Sequence, residues 1–147
     1  MRDLPRKLTA VELAGLFEGR TRFVERLAEL EDPLGRAREV AASLSDEEKK
    51  EVLDAHPAIG AKKNLSARSA AEQGTAEQEH FDSGELAELN REYEERFGFR
   101  FVVFVNRRPK SEIATVLRAR MQRTREEELA TAIDELCAIA EDRWRRS

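Results

Sequence analysis

The chain holds a single cysteine, Cys137, so no internal disulfide can form, and a reducing cytoplasm is the expected setting. No apolar run approaches the roughly 20 residues that span a bilayer. The opening MRDLPRKLTAVEL lacks the apolar centre of a signal peptide, so neither a membrane nor export is expected. Basic charge is not in excess, since 26 Lys and Arg face 30 Asp and Glu for a net charge of −4. That excludes an overall basic field for nucleic acid, and the small basic turn of Arg107, Arg108 and Lys110 is too little for a footprint. There is no HExxH, no CxxC and no His, Cys and Asp cluster at metal spacing, so no metal is expected. A Gly-rich phosphate loop and a GxSxG elbow are also missing, as are internal repeats and low-complexity segments.

What is present reads as helix. The 147 residues suit one domain, 1–147, with enough surface to bury a core. Thr9 with Glu12, Ser45 with Glu48, and Thr124 with Glu127 have the spacing of capping boxes, each ahead of a helical pattern. Thr21 is placed to cap another helix, and Asp32-Pro33 to break one helix and start the next. Ser66 and Gly74 bracket a short helix. Ser83 caps a longer one, whose stripe is Leu86, Leu89, Tyr93 and Phe97, and Ser111 caps the next. The last helix spans about 125–146. FRFVVFV (99–105) is the most apolar short run, with strand-like composition but no second strand candidate to pair with. The expectation is therefore an all-α bundle of about eight helices with one buried extended or irregular segment at 99–105. Cys137 lies on an apolar helical stripe, the setting of an inert core thiol.

The most informative stretch runs from His56 to Gln73. His56 stands where a helix hands over to a loop, and Pro57 restricts it to extended backbone. On the short helix, Ser69, Glu72 and Gln73 share one face at about 100° per residue, where a core stripe would carry Leu, Ile or Val. An imidazole, a carboxylate and two neutral hydrogen-bonding groups have the makings of a site for a small polar molecule. A simple turn histidine and a solvated helix face are the plainer alternatives. In the last helix, Arg143 projects into the apolar arc of Leu129, Ile133, Leu136, Ile139 and Ala140. It reads either as a partner of the helix C-terminal dipole or as a buried anchor for an anion. Within 101–105, any contribution to a site would come mainly from backbone groups.

Four motifs in order, HPxIG from His56, SxxEQ from Ser69, LNxxYExxFGFxFVVFV from Leu89 and IxxxR from Ile139, resemble the OHCU decarboxylases. OHCU is 2-oxo-4-hydroxy-4-carboxy-5-ureidoimidazoline. The likeness extends from about Leu53 to the C-terminus, with a looser helical match before it. It implies an all-α, cofactor-free enzyme, a homodimer in many members, that converts OHCU to (S)-allantoin and carbon dioxide in urate breakdown. It places the catalytic histidine on His56, with Glu72 and Arg143 as further catalytic groups. Pro57, Ser69, Ala70, Ala71, Glu72, Gln73, Phe101, Val102, Val103, Phe104 and Val105 fall on substrate-binding positions. Three departures stand out. Arg100 replaces the proline of the usual FGFPF, the loop from His56 to Ser69 is short, and Gly74-Thr75-Ala76-Glu77 replaces an AGL-like stretch. A same-fold enzyme acting on another carboxylated or ureido ring, and a helical interaction module without turnover, are the alternatives.

Overall fold

The computed structural model describes residues 3–57 and 83–146. Among the described residues there are seven helices and no strand. They are α1 (Ala10–Phe17), α2 (Arg22–Ala28), α3 (Pro33–Ala42), α4 (Asp46–Asp54), α5 (Ser83–Phe97), α6 (Lys110–Arg120) and α7 (Arg125–Arg146). The bundle is all-α, as the capping pattern and apolar periodicity indicate. The short helix read around Ser69 and Glu72 lies outside the described residues.

Local sequence sets most helix starts. The Thr9 and Ser45 side chains each accept the N–H three residues on, and Glu12 and Glu48 reach back to the cap N–H. Thr124 and Glu127 exchange the same pair of bonds ahead of α7, at 3.0 and 3.1 Å. Thr21 caps α2. Pro33 occupies the first turn of α3, where its missing N–H costs nothing. Two starts differ from expectation. Ser83 is the first residue of α5 rather than a flanking cap. α6 begins one residue before Ser111, at Lys110, because Pro109 is the extended residue that precedes it.

α7 is the spine of the bundle, packing against α1, α3 and α4, while α2 lies across α1, α3 and α4, and α5 pairs with α6. Its inner stripe, Leu129, Ile133, Leu136, Ile139 and Ala140, is buried along with Cys137. Burial pushes the Cys137 thiol up to about 12, which fits an inert core residue. Each large aliphatic or aromatic side chain removed from water contributes roughly 1.5–3 kcal/mol. Phe17, Phe23, Leu13, Leu27 and Leu117 are among those fully enclosed.

The apolar run from Phe99 is extended and buried between helices rather than paired in a sheet. Gly98, at φ +82°, ends α5 in the left-handed region and turns the chain into it. Asn106 and Arg107, both at positive φ, turn the chain out again toward α6. Inside, the Tyr93 ring stands edge-on to Phe101, with centroids 5.1 Å apart. The Tyr93 hydroxyl donates to Glu128 at 2.6 Å, and Arg120 Nε donates to the same carboxylate at 2.7 Å. Arg120 lies over the Phe101 ring at 4.6 Å and donates through Nη1 to the Val102 carbonyl at 2.8 Å. A buried polar cluster on α5, α6 and α7 thus holds a segment that has no sheet to hold it.

Candidate active site

His56 follows the last turn of α4, and its N–H donates to the Leu53 carbonyl at 3.2 Å. Its side chain is buried, at 5 % exposure. Among the described residues, its Nε2 is enclosed without a hydrogen-bond partner. Most buried polar atoms find partners, and one that does not is a mark of a site. Burial, then the charge of Arg143, then that of Arg100 push the imidazole down to about 3, with Glu18 opposing. His56 is therefore neutral at pH 7, well below the near-neutral range of an unperturbed histidine. Pro57, directly after it, is half-buried.

Arg143 sits one turn from the end of α7 and is 3 % exposed. Its Nη2 meets Glu18 Oε1 at 2.9 Å, and its Nη1 donates to the Leu16 carbonyl at 3.2 Å. Neither sequence alternative describes this arrangement in full. The guanidinium serves a helix C-terminus, but that of α1 rather than its own, and it is buried against a carboxylate.

Glu18 is the residue that sequence reasoning passed over. It ends α1 with φ 65°, in the left-handed region that costs a side chain roughly 1–2 kcal/mol. Gly19 follows and brings the chain close to α4, where a Cβ at position 19 would meet the Ala55 Cβ at 3.4 Å. One local signal was available, since an acid at a helix C-terminus opposes the macrodipole and needs a cation from elsewhere.

Arg100 completes the surroundings. Its backbone N–H donates to Asp54 Oδ1 at 3.0 Å, and its Nε to Glu94 Oε1 at 2.9 Å. Its Nη1 donates to the His56 carbonyl. With both ends of the guanidinium engaged, this arginine is part of the scaffold around His56.

Phe101, Val102, Val103 and Val105 are buried and Phe104 is half-buried. Their backbone is only partly available to a ligand. Arg120 takes the Val102 carbonyl, Arg108 Nη2 takes that of Phe104 at 2.6 Å, and Arg108 takes that of Val105 through its N–H at 2.9 Å. Among the described residues, the N–H groups of 101–105 meet no acceptor and the carbonyls of Phe101 and Val103 meet no donor, so the segment keeps both kinds of backbone group for a ligand. Ser69, Ala70, Ala71, Glu72 and Gln73 lie outside the described residues. Among the described residues, no group of three His, Cys, Asp or Glu side chains is placed to hold a metal ion.

A neutral buried imidazole under the charge of a guanidinium, with a segment that keeps backbone groups unpaired among the described residues, suits an anionic or carbonyl-bearing small molecule. In class, this is an all-α domain with an imidazole and a guanidinium buried in its interior. The OHCU decarboxylase family model matches residues 4–145, and the chain belongs to that family. It is 36 % identical over 116 residues to 2-oxo-4-hydroxy-4-carboxy-5-ureidoimidazoline decarboxylase of Haloferax volcanii, covering 77 % of this chain and 67 % of that one. It is 31 % identical over 139 residues to the uric acid degradation bifunctional protein PucL of Bacillus subtilis, covering 87 % of this chain but only 28 % of that longer one. A crystal structure of OHCU decarboxylase in the presence of (S)-allantoin superposes with a TM-score of 0.74 at 25 % identity, over 90 % of this chain and 94 % of that one. A crystal structure of (S)-allantoin synthase shares the fold, with a TM-score of 0.62 at 24 % identity over 91 % of this chain and 47 % of that one.

Proposed function

We propose that the chain decarboxylates OHCU to (S)-allantoin and carbon dioxide without a cofactor, as a carboxy-lyase of urate degradation. Family membership supports this reading, and one observation carries it at the site: His56 is a buried, neutral imidazole within reach of the Arg143 charge. The substrate carries its carboxylate on a ring carbon next to a C=N bond. As the carbon–carboxylate bond breaks, the electron pair moves into that C=N, so no pyridoxal or thiamine sink is required. The protein's tasks are to hold the carboxylate out of the ring plane, to move protons, and to deliver one proton to a single face of the ring.

In this reading His56 is the group that accepts and returns the proton. Neutral imidazole is the form ready to accept. A bound anion beside it opposes Arg143 and Arg100, so substrate binding raises its proton affinity toward the range useful for catalysis. Arg143, oriented by Glu18 and the carbonyls of α1, directs N–H groups at an oxygen of the substrate. The N–H groups of 101–105 are further donors for ring or ureido oxygens. Glu72 would help place the proton, and Ser69 and Gln73 would read the ring and ureido groups. A homodimer in the cytoplasm belongs to the same proposal, and light scattering of the purified chain tests the dimer.

The deciding assay generates OHCU in place from urate with the two upstream enzymes, adds this protein, and follows (S)-allantoin by circular dichroism. The expected result is acceleration over spontaneous decay, with His56→Ala about 100-fold slower or worse. No acceleration by the wild type removes the substrate assignment, and full rate in His56→Ala removes the histidine from the chemistry.

A further inference from the structure

The backbone of His56 is gripped at both ends. Its N–H is held by the Leu53 carbonyl, which closes the last turn of α4. Its carbonyl is held by Arg100 Nη1, 44 residues further along the chain. The first bond restrains the backbone before the α-carbon and the second restrains it after, so the direction in which the imidazole leaves the chain is set by both. The Arg100 fork is in turn braced by Glu94 on α5, through Nε at 2.9 Å. A guanidinium is planar, so fixing Nε fixes where Nη1 can reach. The Arg100 side chain is 27 % exposed and that of Glu94 37 %, so this pair is more sheltered than most of the surface ion pairs of the molecule. Meanwhile the Arg100 N–H lies on Asp54 Oδ1 at 3.0 Å, which joins the start of the 101–105 segment to the end of α4. Proline at position 100 could make none of these bonds, having neither the N–H nor the guanidinium.

We propose that Arg100 is a positioning residue, which sets the His56 imidazole and the 101–105 segment at a fixed distance from one another by bonding the His56 carbonyl and Asp54 while braced on Glu94. The proposal rests on the reading of His56 as the proton-transfer group. Its chemistry is geometric: proton transfer is sensitive to displacements of an ångström or less, and backbone bonds on either side of His56 remove that freedom. Other charges acting on the imidazole are Arg143 on α7 and Glu18 at the end of α1, while Asp54 and Glu94 are bonded to Arg100 itself.

The test compares Arg100→Gln, Arg100→Lys and Glu94→Gln with the wild-type chain. In the OHCU assay, Arg100→Gln is expected to lower kcat about tenfold or more with KM changed less than twofold. Arg100→Lys restores the charge but not the planar fork, so it remains slow. Glu94→Gln removes only the brace and gives a smaller fall in the same direction. The second readout needs no substrate. His56 and His80 are the only histidines, so His80→Gln assigns the two imidazole resonances in an NMR titration. Arg100→Gln is expected to shift the His56 resonance and raise its titration midpoint, and Arg100→Lys to return the midpoint but not the resonance position. Wild-type kcat together with an unmoved His56 resonance in Arg100→Gln overturns the proposal. So does a rise in KM with kcat intact, which would make Arg100 a substrate contact. If the wild type fails to accelerate OHCU decay, the substrate reading fails and the NMR comparison still decides the role of Arg100.

Discussion

The His56 side chain carries the sharpest electrostatic consequence in the molecule. An unfolded histidine takes up a proton near pH 6.5, whereas the buried one does so only at about 3. Between those values the unfolded chain binds a proton that the folded chain refuses, so stability falls as pH drops from 6.5 toward 3. Above 6.5 the contribution is fully present. Urea midpoints of the wild type and His56→Gln, measured at pH 7 and pH 4.5, check this. The wild type is expected to lose about 2 kcal/mol more than the variant over that interval. Equal losses would show that burial does not hold the imidazole neutral.

The 99–105 segment shows what one element requires of its neighbours. Glu128, fully buried on α7, receives the Tyr93 hydroxyl, Arg120 Nε and Arg123 Nη1, the last at 3.1 Å. Removing that carboxylate leaves Arg120 buried without its counter-charge, so Glu128→Ala is expected to cost about 3–5 kcal/mol in a denaturant titration. The loss should exceed that from Thr9→Ala, a cap worth about 1 kcal/mol. Much of this architecture was legible in the sequence because it is local. Capping boxes use residues three apart, helix stripes repeat within a turn, and the run at 99–105 declares its burial by composition. The Glu128 cluster was not legible, because Arg120, Arg123 and Glu128 look like ordinary surface charges along the chain and Tyr93 reads as one more residue of an apolar stripe. Nor does the sequence say which backbone groups of 101–105 are already taken, namely the carbonyls of Val102, Phe104 and Val105. The arginines that occupy them follow the segment by only a few residues in one case and stand on α6 in the other.

At the scale of the molecule, α7 gathers both halves of the chain. Its outer side carries Asp134 and Glu141, which pair with Arg38 of α3 at 2.6 and 2.7 Å. Near its end Trp144 donates through Nε1 to the Asp3 carbonyl at 2.7 Å, so the first described residues lie on the last helix. Trp144 is the only tryptophan, so its fluorescence reports on the end of α7 where that junction lies. Thermal or urea unfolding followed by fluorescence is expected to coincide with that followed by far-ultraviolet circular dichroism. An earlier fluorescence transition would mean that the N-terminal arm detaches before the bundle melts. Of the candidate site, His56 could be picked out from its place before a proline and Arg143 from its phase on the helix. Arg100 stands out in the sequence only as a departure from proline, and Glu18 only as an acid at a helix end, since each gains its role from a partner distant in sequence.

The left-handed turn at Glu18 carries an evolutionary corollary. Backbone preference at that position favours glycine, yet glycine alone would strand the cation it faces. The relaxed alternative is a double change, glycine at 18 with an apolar side chain at 143, which gives a sounder scaffold devoid of its buried ion pair. Under the role proposed for Arg143, descendants in which those two positions have drifted together would be bundles retired from chemistry, recognisable as such before any assay is run.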